Sequence, residues 1–208
     1  MFIAFEGIEG SGKSTQVRLV AGALRELGIE AVVTREPGGT PAGEAIRAVA
    51  LDRELHLDPV AELMLMLAAR SVFVNEVVKP ALAAGRIVLT DRYELSSFAY
   101  QGGGRGLPFA KIRELNELAT GGIRPDLSVL LDVDVSDGHA RGRRVGGDRI
   151  EAEDVEFHQR VARAYRELAR SEPDVALVDG REDIEKVLAA VWTVLSARFP
   201  ETFPPHKC

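Results

Sequence analysis

The sequence predicts an α/β fold built on a parallel sheet with helices on both faces, and three observations predict it. Short apolar runs recur at 2–5, 29–33, 87–90, 127–133 and 175–178, rich in Val, Ile and Leu as strands buried on both faces are. The stretches between them are long enough for helices, and several carry apolar residues at helical spacing. The first run leads directly into Gly7-Ile8-Glu9-Gly10-Ser11-Gly12-Lys13-Ser14, the G-x-x-x-x-G-K-[ST] pattern set between strand and helix. Ligands of such sheets bind beyond the carboxyl ends of the strands. The polar residues at those ends are Glu6, Thr34-Arg35-Glu36, Asp91-Arg92, Asp132 and Asp179, and they are expected to converge on one cleft.

In chain order, Phe2-Ile3-Ala4-Phe5 forms the first strand and Thr15 to Leu27 the first helix, which Gly28 closes. The second strand covers 29–33, and Arg35 to Pro41 is a loop by its Pro and Gly content. A helix follows from Ala42 to Leu51. Asp58-Pro59 then supplies an N-cap with Pro at N1 and opens a long helix through Arg70 toward Lys79. Pro80 is expected to kink or divide this helix, and Gly85 ends it. After the third strand, Gly102, Gly103, Gly104 and Gly106 predict a flexible connection, and Pro108 starts a helix through Ala119. Arg141 to Gly147 is Arg- and Gly-rich and fits a mobile loop. Phe157, Val161, Ala164 and Leu168 recur at helical spacing between Glu153 and Arg170. Asp183 to Phe199 is the last helix. One domain is expected over 1–199, with a lid at about 141–152 and a flexible tail at 200–208.

Composition narrows the function classes. The chain has 208 residues, enough for one domain with a substantial core, and is 46% hydrophobic and 28% charged. A net charge of −6 argues against general nucleic-acid binding, which leaves a basic footprint. The single cysteine, Cys208, allows no internal disulfide. No stretch approaches the roughly 20 apolar residues of a membrane span. The four histidines are scattered, with no metal-ligand spacing. The expected location is the cytoplasm, with no nucleic-acid or membrane partner.

The glycine-rich segment needs its residue types. Its glycines let Gly7, Ile8, Glu9, Gly10, Ser11 and Gly12 turn successive backbone N–H groups into one concavity that binds phosphate. The helix N-terminus at Lys13, Ser14 and Thr15 adds partial positive charge. Lys13 can reach the β- and γ-phosphates of a nucleoside triphosphate, and Ser14 can place its hydroxyl on Mg²⁺. Three functional classes share such a loop. A GTP-dependent switch would carry an Asn-Lys-x-Asp element, but the two asparagines, Asn75 and Asn116, are each followed by Glu. A mechanical ATPase would place an acidic residue beside Asp91, where this chain has Arg92. An arginine there suits a second anion, such as an acceptor phosphate, by a charge-assisted contact. Arg141, Arg143, Arg144 and Arg149 could close over a transferring phosphoryl group and exclude water.

Taken together, these segments resemble bacterial thymidylate kinases. The resemblance rests on Gly7 to Ser14 with Glu9 inside it, Thr34-Arg35-Glu36-Pro37-Gly38-Gly39-Thr40 and Asp91-Arg92-Tyr93. Ser96-Ser97, Tyr100 to Gly106 and Asp148-Arg149-Ile150-Glu151 complete it, in order and spacing over residues 2 to about 198. It implies transfer of the γ-phosphoryl of ATP to dTMP with Mg²⁺, a five-stranded parallel sheet in the three-layer P-loop kinase arrangement with a mobile lid, and a homodimer packed through helices. It assigns Lys13 and Ser14 to ATP and metal, Asp91 to the metal's surroundings, and Glu9 to orienting either the acceptor sugar or the site around the metal. Arg35, Pro37 and Arg92 fall beside the dTMP phosphate. Arg70, Ser97, Tyr100 and Gln101 fall at the thymine and deoxyribose, with Tyr100 crowding the 2′ position. Arg149, supported by Arg143 or Arg144, matches the lid cation, because the variable positions of this phosphate loop hold no arginine. Met66 stands where the family places a stacking Phe, and a thioether packs against a ring with less rigidity. Two other readings remain at this stage: a kinase for another nucleoside monophosphate, and a nucleotide-binding regulator without catalysis.

Overall fold

The structure, a computed structural model, describes residues 1–142 and 147–205. Five strands, β1 (Phe2–Glu6), β2 (Ala31–Arg35), β3 (Ile87–Asp91), β4 (Leu127–Asp132) and β5 (Val175–Asp179), form one sheet in the order β2-β3-β1-β4-β5. Every pairing is parallel. β1 lies at the centre and is buried along its whole length, which is why its five residues are apolar up to the carboxylate of Glu6. β2 starts two residues later than its apolar run suggests and continues through Thr34 and Arg35, which pair with Thr90 and Asp91. Ile29 instead donates its N–H to the Leu24 carbonyl, closing the preceding helix.

That helix, α1 (Lys13–Glu26), packs with α9 (Ile184–Arg198) on one face of the sheet. Ile3, Phe5, Val20, Leu24, Val191 and Leu195 meet there in one core. The other face carries two further cores. One joins Phe2, Ala4, Phe73, Val78 and Tyr93. The other joins Ile8, Leu67, Phe98, Ile112, Phe157 and Tyr165. They are built from α3 (Pro59–Phe73), α5 (Glu94–Ser97), α6 (Phe109–Thr120) and α8 (Val155–Ser171). α2 (Pro41–Leu51) packs against α3. Thr40 caps α2 by accepting from Gly43 N–H, and Asp58 caps α3 by accepting from Val60 and Ala61 N–H.

Several elements differ from the sequence expectation. Pro80 does not break the long helix. A π-helical turn, Val74–Val78, precedes α4 (Lys79–Ala83), and a wider turn makes room for the proline ring and for the N–H donor that proline lacks. The glycines at 102–104 do not form a flexible connection. Phe98–Gly104 is a π-helical segment, and Gly103 and Gly104 lie directly against Ala164 and Phe157 of α8, where a Cβ would collide. Here glycine serves close approach. Residues 135–142 form a further helix, α7 (Val135–Gly142), so Arg141 belongs to a helix end, while Arg143 and Arg144 lie outside the described residues. Residues 200–205 are docked, with Phe203 fully buried on Trp192 and the Trp192 indole donating to the Pro204 carbonyl. Phe203→Ala is therefore expected to cost about 3–5 kcal/mol, read as a lower urea midpoint with an unchanged slope.

Candidate active site

β1 delivers the glycine-rich loop and α1 begins at Lys13, immediately after Gly12. Gly10 has φ 71° and abuts the Gly138 backbone of α7, so no side chain fits there. The Lys13 ammonium donates to the Ile8 carbonyl at 2.7 Å and to Ser11 Oγ at 3.4 Å. It is almost fully enclosed, and burial pushes its pKa down to about 7, with Arg92 adding to the effect against Asp91, Glu6 and Glu9. The Ser14 hydroxyl donates to Asp91 from the next strand end. Around these groups lies an open cleft lined by Glu9, Gly10, Ser11, Gly12, Lys13, Ser14, Thr15, Asp91, Arg92 and Arg141. Gly180 and Asp183 bound its far side. Arg141 crosses there, donating to the carbonyls of Gly180 and Arg181.

Arg92 sits at the exit of β3 with φ 75°, a conformation that costs a non-glycine residue about 1–2 kcal/mol. Its N–H to the Phe5 carbonyl, and its carbonyl accepting from Thr90 Oγ1, hold it there. The guanidinium is fixed as firmly. Nη1 donates to the Gly7 carbonyl, Ser96 Oγ and Tyr165 OH, and Nη2 donates to Tyr100 OH at 3.1 Å. Behind it, the fully buried Glu6 accepts from Tyr93 N–H, Ser96 and Tyr165. Burial raises the Glu6 pKa, opposed by Ser96 and Arg92. Among the described residues none accepts from the Arg92 Nε–H or its remaining Nη2–H, an arrangement suited to an oxyanion.

Arg92 also lines a second cavity, on the other side from Ser14. Pro37, Arg47, Leu51, Met66, Arg70, Ser97, Tyr100, Gln101 and Ile150 line it. Glu9, Asp148, Glu151 and His158 complete the wall. The Glu9 pKa is pushed up to about 7 by burial first and then by a shared hydrogen bond with Glu151. Arg70 is buried and uses four of its five N–H donors inside the protein. These go to Glu36 at 2.7 Å, Ser97 Oγ, Asn116 Oδ1 and the Tyr93 carbonyl. Met64 is exposed while Met66 is buried, so only Met66 faces this cavity.

The structure thus brings together Pro37, Met66, Arg70, Arg92, Ser97, Tyr100 and Gln101, as the sequence suggested. Arg35 is the exception: it is exposed and paired with Glu44, because the last residue of β2 points its side chain away from the cavity. Arg47, in α2, lines the cavity instead and donates to the Pro37 carbonyl. Glu36 pairs with Arg70, not with Arg35. Gly7 and Ile8 do not line the phosphate-loop cleft; their carbonyls accept from Arg92 and Lys13. Arg149 lines neither cavity. Its guanidinium is bound by Glu62 at 2.8 Å and by the Ala50 carbonyl, which anchors the 148–151 turn to α2 and α3. Glu6, expected at the cleft as a strand-end carboxylate, stands behind Arg92, whereas Arg47, Tyr165 and His158 were missed because each lies on a regular helix. Only the cluster of cations around one cavity marks Arg47.

The low pKa of Lys13 has a measurable consequence. Without a ligand it is largely neutral above about pH 7, and a bound phosphate requires it charged. Nucleotide binding is therefore expected to take up close to one proton at about pH 8.5, and affinity to fall as pH rises above about 7. Calorimetry in buffers of different ionisation enthalpy would measure the uptake, and Lys13→Met should abolish it.

Comparison with known proteins agrees with this geometry. Residues 5–191 match the family model described as thymidylate kinase. The chain is 46% identical to the thymidylate kinase of Synechococcus sp. (strain JA-3-3Ab) over 205 residues, 98% of this chain and 99% of the relative. It is 44% identical to that of Deinococcus radiodurans over 200 residues, covering 95% and 97%. A crystal structure of thymidylate kinase from Ehrlichia chaffeensis superposes with a TM-score of 0.78 at 32% identity, over 94% of this chain and 98% of that one. With a matching sheet, a nucleotide-type phosphate loop and a match along nearly its whole length, the chain belongs to the thymidylate kinase family.

Proposed function

We propose that this protein transfers the γ-phosphoryl group of ATP to dTMP, giving dTDP and ADP. The observation that carries the reading is Arg92, a fixed cation that lines both the phosphate-loop cleft and the second cavity. A motor or switch needs one nucleotide site, whereas a phosphotransferase with a phosphorylated acceptor needs two anions brought to a common point. The acceptor phosphate oxygen attacks the γ-phosphorus as the bond to the ADP oxygen breaks. Lys13 and the loop amides hold the donor, and Arg92 with Arg47 holds the acceptor phosphate. Arg35, exposed and paired with Glu44, lines neither cavity and has no part in this reading.

Ser14 and Asp91 offer adjacent hard oxygen donors, the set a Mg²⁺ ion takes from protein while filling its other positions with water and phosphate. Among the described residues no cluster of three or more His, Cys, Asp or Glu forms a closed metal cage. When bound, the ion would neutralise charge on the donor phosphates. At the acceptor's other end, Met66 packs on the base, Arg70 and Gln101 read its edge with Ser97 beside them, and Tyr100 bounds the sugar. Pro37 and Glu9 flank the phosphate and sugar. Arg149 holds the wall of this cavity, and its expected part as the cation on the transferring group passes to Arg92 and Lys13. Arg141 and Thr15 border the ATP site.

Two further points belong to the same reading. Val60 and Met64 are exposed one turn apart on α3, a face suited to a second copy of the chain in a homodimer. The cytoplasm, where ATP is available, is its place of action. The test is a substrate panel of dTMP, dUMP, UMP, CMP, GMP and AMP with ATP and Mg²⁺. Formation of dTDP with clear preference for dTMP is expected. Preference for another acceptor, or binding of both nucleotides with no product, would overturn the reading.

A further inference from the structure

Behind the acceptor cavity lies a charged residue that no motif explains. Glu62 sits in the first turn of α3 and is completely buried, which is costly for a carboxylate unless its lone pairs are used. Its Oε1 accepts from Gln101 Nε2 at 2.8 Å. Its Oε2 accepts from Arg105 Nη2 at 2.9 Å and Arg149 Nη1 at 2.8 Å. Arg105 Nε is shared between the two oxygens, at 3.2 Å from each. Burial alone would raise the Glu62 pKa, but Arg105 and Gln101, with Arg149, outweigh that and hold it below the ordinary carboxylate value. Glu62 is therefore ionised, and an ionised carboxylate can only accept.

That fixes the Gln101 amide. Because one end must donate to Glu62, the NH₂ group turns to Glu62, and the carbonyl oxygen is the atom left for the cavity that Gln101 lines. Beside it, Arg70 keeps one N–H unspent. Both residues line the same cavity, so together they can offer it an acceptor and a donor. A thymine or uracil ring presents the complement, a ring N–H next to a carbonyl. A cytosine ring presents the opposite, a lone pair next to an amino group.

We propose that Glu62 is a positioning residue for base selection: by taking the Gln101 amide N–H it leaves the Gln101 carbonyl for the acceptor, so that the enzyme takes a pyrimidine with a ring N–H and refuses cytosine. The proposal rests on the dTMP reading above. The same carboxylate ties down Arg149 and with it the 148–151 turn, so the base-reading amide and the cavity wall share one anchor.

Glu62→Gln tests it, because the two arginines determine which way the introduced amide turns. Both make their shortest contacts at the Oε2 position, so the carbonyl oxygen of that amide must stand there and its NH₂ must face Gln101. Gln101 is then forced to flip and present its own NH₂ to the cavity. The expected result is a rise in KM for dTMP of about tenfold or more, from two opposed donors. KM for dUMP, which has the same ring edge, should rise equally, while KM for dCMP falls. KM for ATP should not change. If a folded E62Q loses dTMP and dCMP together, or neither, the proposal is overturned. Should E62Q fold poorly, the double variant E62Q/R105M removes one of the two guanidinium groups crowding the introduced amide, the one that also pairs with Glu153, while Arg149 still orients that amide, and the same reversal is expected. A wild-type enzyme that does not phosphorylate dTMP would defeat the underlying reading; a wild type that does, with no change of selectivity in either variant, would defeat only the role of Glu62.

Discussion

Arg92→Ala is expected to lower kcat/KM for dTMP by roughly 30- to 4,000-fold, the range for removing one partner of a buried, hydrogen-bonded charge pair worth about 2–5 kcal/mol. Its effect on KM for ATP should be much smaller. The asymmetry follows from position. The guanidinium is held by Gly7, Ser96, Tyr100 and Tyr165, and keeps Nε–H and one Nη2–H for a ligand. Removing it also leaves Glu6 buried beside a lost cation, so some loss of stability accompanies the loss of activity. Arg92→Gly separates the two. Glycine adopts φ 75° without penalty, so R92G should be more stable than R92A by about 1 kcal/mol, with the same loss of dTMP turnover. Steady-state kinetics for both substrates, with urea unfolding of both variants, would check this. Equal effects on the two substrates would remove the acceptor role.

Lys13→Ala should reduce kcat by about 10²–10³, the cost of losing one donor aimed at charge that develops during the reaction. Lys13 is the buried cation of the phosphate loop, and its two internal partners, the Ile8 carbonyl and Ser11, are neutral. Neither offsets a charge on it, so the charge that phosphate binding gives Lys13 acts on the nucleotide. The fold should survive, because burial already works against the charged form of this lysine. Circular dichroism should be unchanged while turnover collapses. Near-normal dTMP phosphorylation by the variant would contradict the assignment.

Much of this was legible in the sequence because it is local. A strand buried on both faces must be apolar, and a phosphate loop needs glycine where no side chain fits. Capping residues such as Asp58 and Asp183 stand next to the helices they start. Hence the five strands, the loop at Gly7 to Ser14 and the strand-end pair Asp91-Arg92 could be placed without coordinates. The cavity residues on α3 and the segment after β3 followed from the resemblance, which holds motif order and spacing.

Only the tertiary structure decided which cations line the second cavity. Arg35 and Arg47 are both basic residues near Pro37, and nothing in their spacing separates them; the direction of the last β2 side chain and the packing of α2 do. The glycines at 102–104 carry the composition of a hinge, yet they are packed against α8, since a missing side chain serves close approach as well as freedom. The partners of buried charge were equally hidden. Glu36 meets Arg70 across 34 residues and Glu62 meets Gln101 across 39. The chain alone determined that phosphate is bound and where the strands run, because those demands act on neighbouring residues. Which side chains meet across the cavity depends on long-range packing, since a buried charge must find its partner in space wherever the chain carries it.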